Sequence, residues 1–444
     1  MNIIKIGGAV LKNREGFFRM TNILNKYTEK PLIMVVSAFS DATRKLEAAA
    51  RLAEKGNETK ANTIVRSVLN DHTKHNKELL KSGEILNSLN LMIESGARQI
   101  DKLMRGLSIT GELSPRVLDN ILSFGEFFAL HTVNHFLQDS GFKPDCIDAS
   151  NIIVSDSNHG KAHPLYDETA AKVKEILIPK LNESGFVLTQ GFVAKNLKND
   201  ITTMGIESSN LTAALLANIL DADKIIFWTD VEGLRTADPQ YVKNTLSIPK
   251  MSYSDGYKAA VNGLKLFYPS MIDYAAEKDI ELVYRSAFTP EGDFTSVTSQ
   301  ESEDLLPLIV LKENLTQTTV KYNSASDKAE SEQKLQRDIL SVINTFSYSA
   351  APGKFVILSK KQERIIINSQ INQEIKTVRN CAAISIYNIS DQDFISSVFA
   401  LKRQFPEFDI IRYEYDSDTG SGKIIVPQDS ARFIVDAIHG ILVE

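Results

Sequence analysis

The chain has 444 residues, of which 43% are hydrophobic and 24% charged, so it can form two to four domains with their own hydrophobic cores. Its formal net charge of −6 argues against a general nucleic-acid-binding protein, which usually carries a basic face. The two cysteines, Cys146 and Cys381, lack metal-site spacing and indicate reduced core residues of a cytoplasmic protein. No stretch reaches about 18 consecutive apolar residues and no signal-peptide pattern begins the chain, so we expect no membrane span.

The amino-terminal residues predict a strand that ends in a glycine turn. Residues 2–6 are mostly apolar, and Lys5 stands just before Gly7 and Gly8. Glycine lets the backbone approach phosphate oxygens closely, and a lysine there adds a compact positive charge. The turn therefore fits a phosphate-binding site, although a surface lysine in a tight turn gives the same pattern.

A second strand is predicted at residues 32–36, where five apolar residues follow one another. Such a run is typical of a strand that is covered on both faces. It leads into a loop of small residues, 37–43, which begins with Ser37 and ends with Thr43. Two polar-edged loops at neighbouring strand ends indicate a ligand site more specifically than either loop alone.

Residues 44–110 have apolar positions at helical spacing among many Lys, Glu and Asn, which predicts a helical excursion. We interpret it as a cover for the edge of the site, and a solvated helical hairpin for packing or dimerisation is the competing interpretation. A further helix is predicted to open at residues 123–126. Its Glu126 could hold an ammonium group or a lysine, or could only cap the helix.

The segment 191–239 is the most informative part of the chain. It combines two threonines, a Ser-Ser-Asn run, an apolar helix at 211–220 and a buried strand at 224–228 that ends in Thr229 and Asp230. In open α/β sheets, ligands bind where strand ends and helix N-termini form a crevice. Thr229, Asp230 and Asp238 could contact a nucleotide or Mg²⁺, although Asp238 before a proline could also be only a turn. The segment predicts a nucleotide-using α/β enzyme with a mainly parallel, three-layer sheet.

The pattern changes beyond a polar run at 299–304, which we interpret as a domain boundary. Alternating strands and helices there predict one or two small α+β modules for ligand binding or dimerisation, without a catalytic cluster. The predicted strands are 308–311, 318–322, 355–358, 364–368, 382–387, 410–415 and 423–426, and the predicted helices are 327–344, 391–404 and 430–441. The seven histidines of the chain form no catalytic or metal-binding pattern, so no protein metal site is expected.

Taken together, these motifs resemble the amino acid kinase family and, within it, the aspartokinases. The resemblance covers most of the chain and implies a catalytic domain at 1–300, with its helical excursion at 44–110, and tandem ACT-like regulatory domains at 305–444. The matching motifs are Lys-Ile-Gly-Gly at 5–8, Val-Val-Ser-Ala-Phe-Ser-Asp-Ala-Thr at 35–43, Ser-Phe-Gly-Glu at 123–126, Thr-Thr-Met-Gly at 202–205, Trp-Thr-Asp-Val-Glu-Gly at 228–233, Ala-Asp-Pro at 237–239 and Gly-Leu-Lys at 263–265.

The resemblance also implies an activity. This is the ATP-dependent phosphorylation of the L-aspartate side-chain carboxylate, the first step toward lysine, threonine and methionine, with Mg²⁺ bridging the phosphates. A feedback amino acid, lysine or threonine, and a homodimer through the ACT-like domains are implied as well. The implied site residues are Lys5, Lys265 and Asn210 for catalysis; Ser37, Thr43, Glu126 and Ser209 for the amino acid; and Gly7, Gly8, Thr229, Asp230, Arg235 and Asp238 for the nucleotide.

Several residues depart from the family pattern. Ile206 stands where the family has an arginine that clamps a substrate carboxylate, and Asn210 stands where it has an aspartate that orients the two lysines. Ala9 and Val10 replace a Thr-Ser pair, and Arg235 replaces an aromatic residue near the nucleotide. These departures leave two alternatives open: a kinase of the same fold that acts on another small carboxylate or amino acid, and a non-catalytic regulatory homologue.

Overall fold

The computed structural model describes residues 1–27, 29–39, 41–205, 208–264, 266–301, 306–322, 345–351, 354–360 and 373–443. The chain divides into two compact units. Unit 1 comprises Met1–Leu234, Ser247–Tyr257 and Lys265–Ser302, and unit 2 comprises Arg235–Leu246, Lys258–Leu264 and Glu303–Glu444. Two short segments that precede residue 300 therefore belong with unit 2. The catalytic and regulatory roles of the stretches before and after residue 300 remain predictions.

The first 302 residues contain thirteen strands and ten α-helices in their described part. The strands are β1 (Asn2–Ile6), β2 (Leu32–Val36), β3 (Asp145–Ile147), β4 (Val154–Ser155), β5 (Phe186–Gln190), β6 (Val193–Asn196), β7 (Ile201–Thr203), β8 (Lys224–Thr229), β9 (Leu234–Arg235), β10 (Ser247–Ile248), β11 (Lys250–Ser252), β12 (Glu281–Ser286) and β13 (Phe294–Thr298). The helices are α1 (Arg14–Tyr27), α2 (Ala42–Glu54), α3 (Glu58–Leu79), α4 (Gly83–Thr110), α5 (Pro115–Asp139), α6 (Tyr166–Lys172), α7 (Ile178–Ser184), α8 (Ser208–Ile219), α9 (Tyr253–Val261) and α10 (Pro269–Glu277).

An eight-stranded sheet in the order β11-β13-β12-β8-β1-β2-β5-β3 forms the centre of unit 1. Strand β1 pairs in parallel with both β2 and β8, so that Ile6 lies between Val36 and Trp228. Every residue of β2 and of β5 is buried, as expected for strands covered on both faces. The predicted α/β class with a mainly parallel sheet is confirmed. Because β1, β2 and β8 run in the same direction, the loops at their carboxyl ends meet at one edge of the sheet.

The predicted helical excursion consists of three helices, α2, α3 and α4, which precede the long helix α5. Their apolar faces belong to the same core cluster as the sheet, to which α2 contributes Leu46, α4 contributes Leu89 and Ile93, and α5 contributes Phe128. Gly96 of α4 faces α5 so closely that a Cβ atom there would stand 2.6 Å from Phe128 Cε1. The excursion therefore packs into the core of unit 1. A detached, solvated hairpin would not contribute residues to that core.

The carboxyl-terminal part of unit 2 is built on one antiparallel sheet, and its α+β class is confirmed. Its elements are β14 (Leu308–Tyr322), β15 (Thr345–Ala351), β16 (Lys354–Lys360), β17 (Gln373–Tyr387), β18 (Arg412–Asp416), β19 (Ser421–Pro427), α11 (Asp391–Gln404) and α12 (Ala431–Leu442). The sheet order is β15-β16-β14-β17-β19-β18. The strands predicted at 308–311 and 318–322 are the two ends of β14, whose register against β17 shifts between Lys312 and Gln317. The predicted helix 327–344 and strand 364–368 lie outside the described residues.

The core of unit 2 includes part of an earlier segment of the chain. Ala237 and Val242 belong to the same buried cluster as Ile384 of β17 and Ile438 of α12. Within this core, Thr236 Oγ1 and His439 Nε2 are hydrogen-bonded at 2.8 Å. The segment Arg235–Leu246 is thus packed as a part of unit 2. In the described residues, no helix is both long enough and apolar enough to span a membrane.

Candidate active site

A cavity of about 850 Å³ opens in unit 1 at the edge of the sheet where β1, β2 and β8 end. Of the thirteen site residues that the sequence singles out, nine line this cavity. They are Lys5, Gly7, Gly8, Ser37, Thr43, Glu126, Ser209, Asn210 and Thr229. Parallel strands bring their carboxyl ends together at such an edge, which explains why residues from distant parts of the chain meet here.

The glycine turn after β1 is held against the end of β8. The Gly7 amide donates a hydrogen bond of 2.9 Å to the Trp228 carbonyl, and a Cβ atom at Gly7 would stand 3.4 Å from that oxygen. Lys5 Nζ lies 3.9 Å from the same Cβ position, so the lysine side chain folds back toward the turn. The glycine backbone has no side chain in the way, and the Lys5 ammonium lies beside it. Such a turn can bind phosphate oxygens.

The end of β8 brings two more predicted residues to this edge. Thr229 lines the cavity, and its hydroxyl donates a hydrogen bond of 3.1 Å to Asp230 Oδ1. Asp230 is exposed and lies next to the residues that line the cavity. The pair therefore places one hydroxyl inside the cavity and one carboxylate beside it.

Glu126 brings a buried carboxyl group to the cavity from α5. It is only 4% exposed, and its Oε2 has no hydrogen-bond partner in the described part of the chain. Burial raises the pKa of Glu126 to about 8, an effect that hydrogen bonds from backbone amides, first that of Ala38, partly offset. Gly125 allows this approach, since a Cβ atom there would stand 3.3 Å from Ala38 Cβ. An unpaired buried carboxyl group of this kind is suited to receive a ligand cation.

The amino-terminal turn of α8 forms another wall, with Ser209 and Asn210 both buried. The Asn210 side chain donates a hydrogen bond of 3.1 Å to the Leu266 carbonyl, and its buried Oδ1 has no partner among the described residues. Lys265 and Ile206, which the sequence also singles out, lie outside the described residues. The role of Asn210 as a partner of the two lysines stays a prediction.

Arg235 and Asp238 belong to unit 2 and are not among the residues that line the cavity of unit 1. Arg235 Nε donates a hydrogen bond of 2.6 Å to Thr245 Oγ1, and the same guanidinium also bonds to the Thr245 carbonyl. Asp238 Oδ1 accepts a hydrogen bond of 2.9 Å from the Gln240 amide. This contact is typical of an Asx turn, in which an Asp side chain bonds to the backbone amide two residues later. Their contact with a nucleotide stays a prediction.

Among the other residues that line the cavity are Asp119 and His159, which the sequence did not single out as site residues. Asp119 of α5 is 1% exposed and accepts a hydrogen bond of 2.7 Å from His159 Nδ1. Asp119 stands seven residues, or two helical turns, before Glu126 on the same face of α5. The predicted start of this helix at 123 was wrong, because the helix begins at Pro115, and that error hid the shared face. His159 lies in a loop without periodicity, and only the folded chain brings it to the cavity.

The chain is similar to known proteins of one family. The family model described as "Amino acid kinase family" matches residues 1–285. Lysine-sensitive aspartokinase 3 of Escherichia coli is 29% identical over 228 residues, which are 50% of this chain and 51% of that protein. Aspartokinase 3, chloroplastic, of Arabidopsis thaliana is 23% identical over 469 residues, 100% of this chain and 81% of that protein. The chain thus spans about half the length of the Escherichia coli relative that it matches.

Two solved structures of Escherichia coli aspartokinase III are similar to the whole chain. The complex with aspartate and ADP, described as the R-state, has a TM-score of 0.86 at 21% identity, with 100% of each chain covered. The complex with lysine and aspartate, described as the T-state, has a TM-score of 0.73 at 22% identity over the same coverage. At these identities the likeness shows a shared fold.

Proposed function

The chain belongs to the amino acid kinase family, and on this premise we propose that it is an aspartate kinase. It transfers the γ-phosphoryl group of ATP to the side-chain carboxylate of L-aspartate and forms 4-phospho-L-aspartate, the first step toward lysine, threonine and methionine. The similarity to aspartokinases over half of the chain or more supports this choice within the family.

One observation carries the proposal. The glycine turn with Lys5 and the buried, unpaired Glu126 line a single cavity of about 850 Å³. Binding sites for small molecules usually have volumes of roughly 300–1,000 Å³, so the cavity can hold the phosphates of a nucleotide beside a small amino acid. The turn offers backbone and positive charge for phosphates, and Glu126 offers a carboxylate for an ammonium group.

In the reaction, a carboxylate oxygen of aspartate attacks the γ-phosphorus, and the bond between that phosphorus and the ADP oxygen breaks. The chain contributes mainly position and charge, as is usual for phosphoryl transfer. Lys5 stabilises the negative charge that spreads over the transferred group, and Glu126 fixes the substrate ammonium. Lys265 and Asn210 act with Lys5, and the hydroxyls that orient the amino acid are those of Ser37, Thr43 and Ser209.

Magnesium, when bound with the nucleotide, would neutralise part of the phosphate charge, and Asp230 would hold it. A magnesium ion that arrives with the nucleotide usually needs only one or two carboxylates from the protein. The exposed Asp230, adjacent to Thr229, supplies such a carboxylate. The described residues contain no cluster of three or more His, Cys, Asp or Glu that could hold a metal ion by itself. Gly7 and Gly8 bind the nucleotide phosphates in this proposal, and the family resemblance is the support for Arg235 and Asp238 as nucleotide-binding residues.

The carboxyl-terminal stretch has a regulatory role in this proposal, with tandem ACT-like domains that bind lysine or threonine and form a homodimer. Its antiparallel sheet with two helices supports the ACT-like assignment. The solved complex of Escherichia coli aspartokinase III with lysine supports a feedback amino acid.

A kinase that acts on another small carboxylate or amino acid is the second candidate. Its motivation is Ile206, which stands where the family has an arginine that clamps a substrate carboxylate. A regulatory homologue without activity is the outcome if no acceptor is found.

The alanine variant of Lys5 tests the site. We expect Lys5→Ala to reduce aspartate-dependent ADP release on the order of 100-fold, because a charge aimed at the transferred group is lost. The matched control is Lys26→Ala, which removes an exposed lysine of α1 and should leave the rate unchanged. Equal rates for Lys5→Ala and the wild-type chain would contradict the assignment of the glycine turn to the phosphates.

A further inference from the structure

An Asp-His pair, with the aspartate buried and the histidine partly buried, lines the same cavity as Glu126. The Asp119 side chain is 1% exposed and accepts three hydrogen bonds, from His159 Nδ1 at 2.7 Å, the Gly160 amide at 3.0 Å and Thr203 Oγ1 at 2.5 Å. The His159 side chain is 14% exposed. Asp119, His159, Gly160 and Thr203 all line the cavity.

The hydrogen bond to Asp119 fixes both the orientation and the proton pattern of the imidazole. Nδ1 is the donor to the carboxylate, and Nε2 makes no hydrogen bond to any described residue. Nε2 is therefore the ring nitrogen that a ligand can use. If it binds an anion, it must carry a proton, and the ring is then an imidazolium whose charge the Asp119 carboxylate balances.

The position of the pair suits a small amino acid. Asp119 and Glu126 stand two turns apart on α5, roughly 10 Å along the helix axis, and the His159 ring extends from the Asp119 end into the cavity. An amino acid whose ammonium group meets Glu126 would need a cation on the other side for its carboxylate. His159 lines the cavity, is bonded to the Asp119 end of this helix face and is the candidate for that cation.

The loop that carries His159 packs against the end of β7, just before residue 206. The Ala162 amide donates a hydrogen bond of 3.0 Å to the Thr203 carbonyl, and the Gly160 carbonyl lies 3.7 Å from a Cβ position at Gly205. The loop of His159 therefore lies beside Gly205. The next residue in the sequence, Ile206, has a side chain that cannot bind an anion.

Other cationic side chains of the cavity are less suited to this task. Among the described residues that line it, Lys5, Arg44, Arg51 and His159 can carry positive charge. The Arg44 side chain is 88% exposed, and Arg51 is paired with Glu47 at 2.7 Å. Lys5 stands at the glycine turn assigned to the phosphates. His159 is the remaining side chain that can carry positive charge, and it is only 14% exposed.

We propose that His159 binds the α-carboxylate of the amino acid substrate through Nε2 and that Asp119 is its positioning residue. This assignment rests on the proposed function. It makes the Asp-His pair a determinant of acceptor specificity, because an acceptor without that carboxylate would leave the imidazole without its ligand.

Two variants separate this role from a purely structural one. In His159→Asn the amide nitrogen takes the place of Nδ1, so the bond to Asp119 can persist while the group at Nε2 is lost. In His159→Gln the amide nitrogen takes the place of Nε2, and the bond to Asp119 is lost instead. His163→Asn is the matched control, since His163 is 73% exposed and does not line the cavity.

The measurement is calorimetric binding of L-aspartate to the full chain, with ATP binding as the check that the nucleotide site is intact. We expect His159→Asn to weaken L-aspartate binding at least about 10-fold, as for loss of a charged hydrogen bond, and His159→Gln to recover part of that loss. Unchanged binding in His159→Asn, or a greater loss in His159→Gln, would overturn the assignment. Absence of L-aspartate binding to the wild-type chain would overturn the proposed function itself, and this assignment with it.

Discussion

Burial shifts the pKa of Glu126 far from the value of an exposed glutamate. The carboxyl group is buried without a partner for Oε2, and its pKa rises from 4.5 to about 8. Between pH 4.5 and about pH 8, the Glu126 carboxyl group is protonated in the folded chain and ionised in the unfolded chain. The free energy of unfolding therefore loses a contribution from Glu126 as the pH rises through this range. A ligand ammonium that pairs with the carboxylate would restore it.

Replacement of Glu126 by glutamine should remove this pH dependence. We expect Glu126→Gln to gain stability relative to the wild-type chain as the pH rises from about 5 to about 8, by up to roughly 1.4 kcal/mol per pH unit. The free energy of unfolding of unit 1 without substrate, measured by denaturant titration at several pH values, checks this. Glu84→Gln, at an exposed site in the first turn of α4, controls for the loss of one carboxylate. Parallel pH curves for Glu126→Gln and the wild-type chain would contradict the pKa argument.

At the scale of the elements, the junction between β5 and α8 sets the shape of one cavity wall. Gly191 follows β5, and a Cβ atom there would stand 2.4 Å from Ser209 Cα, in the first turn of α8. No side chain fits in that gap, so the missing Cβ lets the helix carrying Ser209 and Asn210 come close to the sheet.

An alanine at this junction should disturb both the fold and the site. We expect Gly191→Ala to destabilise unit 1 by about 1–3 kcal/mol, because the helix or the strand must move, and to lower kcat/KM through the displaced Ser209. Thermal unfolding and steady-state kinetics measure the two effects. Gly106→Ala is the control, since no atom lies within 4 Å of a Cβ there and alanine favours a helix. A Gly191→Ala chain with the wild-type melting temperature would contradict the packing argument.

The elements of unit 1 were predictable where the signal is local. The apolar run at 32–36 predicted β2 with the same bounds. The helix predicted at 211–220 overlaps α8, which begins three residues earlier and ends at Ile219. In unit 2, strand lengths that depend on pairing between distant segments were not predictable. The continuity of β14 from Leu308 to Tyr322 arises from its pairing with both β16 and β17, which no sequence window contains.

At the scale of the whole molecule, motif spacing placed nine site residues at one cavity because parallel strands collect their carboxyl ends at one edge. His159 was missed because its importance depends on a hydrogen bond to a residue 40 positions away. The inclusion of Arg235–Leu246 in unit 2 was missed as well, since it depends on packing against Ile384 and Ile438. Sequence patterns predicted what strand order and helix periodicity determine, whereas contacts between distant loops required the structure.

The proposed function of this chain is phosphorylation of the side-chain carboxylate of L-aspartate. The most direct measurement is an incubation of the full chain with ATP, Mg²⁺ and L-aspartate in which hydroxylamine traps the acyl phosphate as a hydroxamate, identified by its mass. We expect aspartate hydroxamate to form only when both ATP and L-aspartate are present. Lys5→Ala should not form it at a comparable rate. ATP binding without any hydroxamate from L-aspartate would contradict the claim and would direct the search to other small carboxylates.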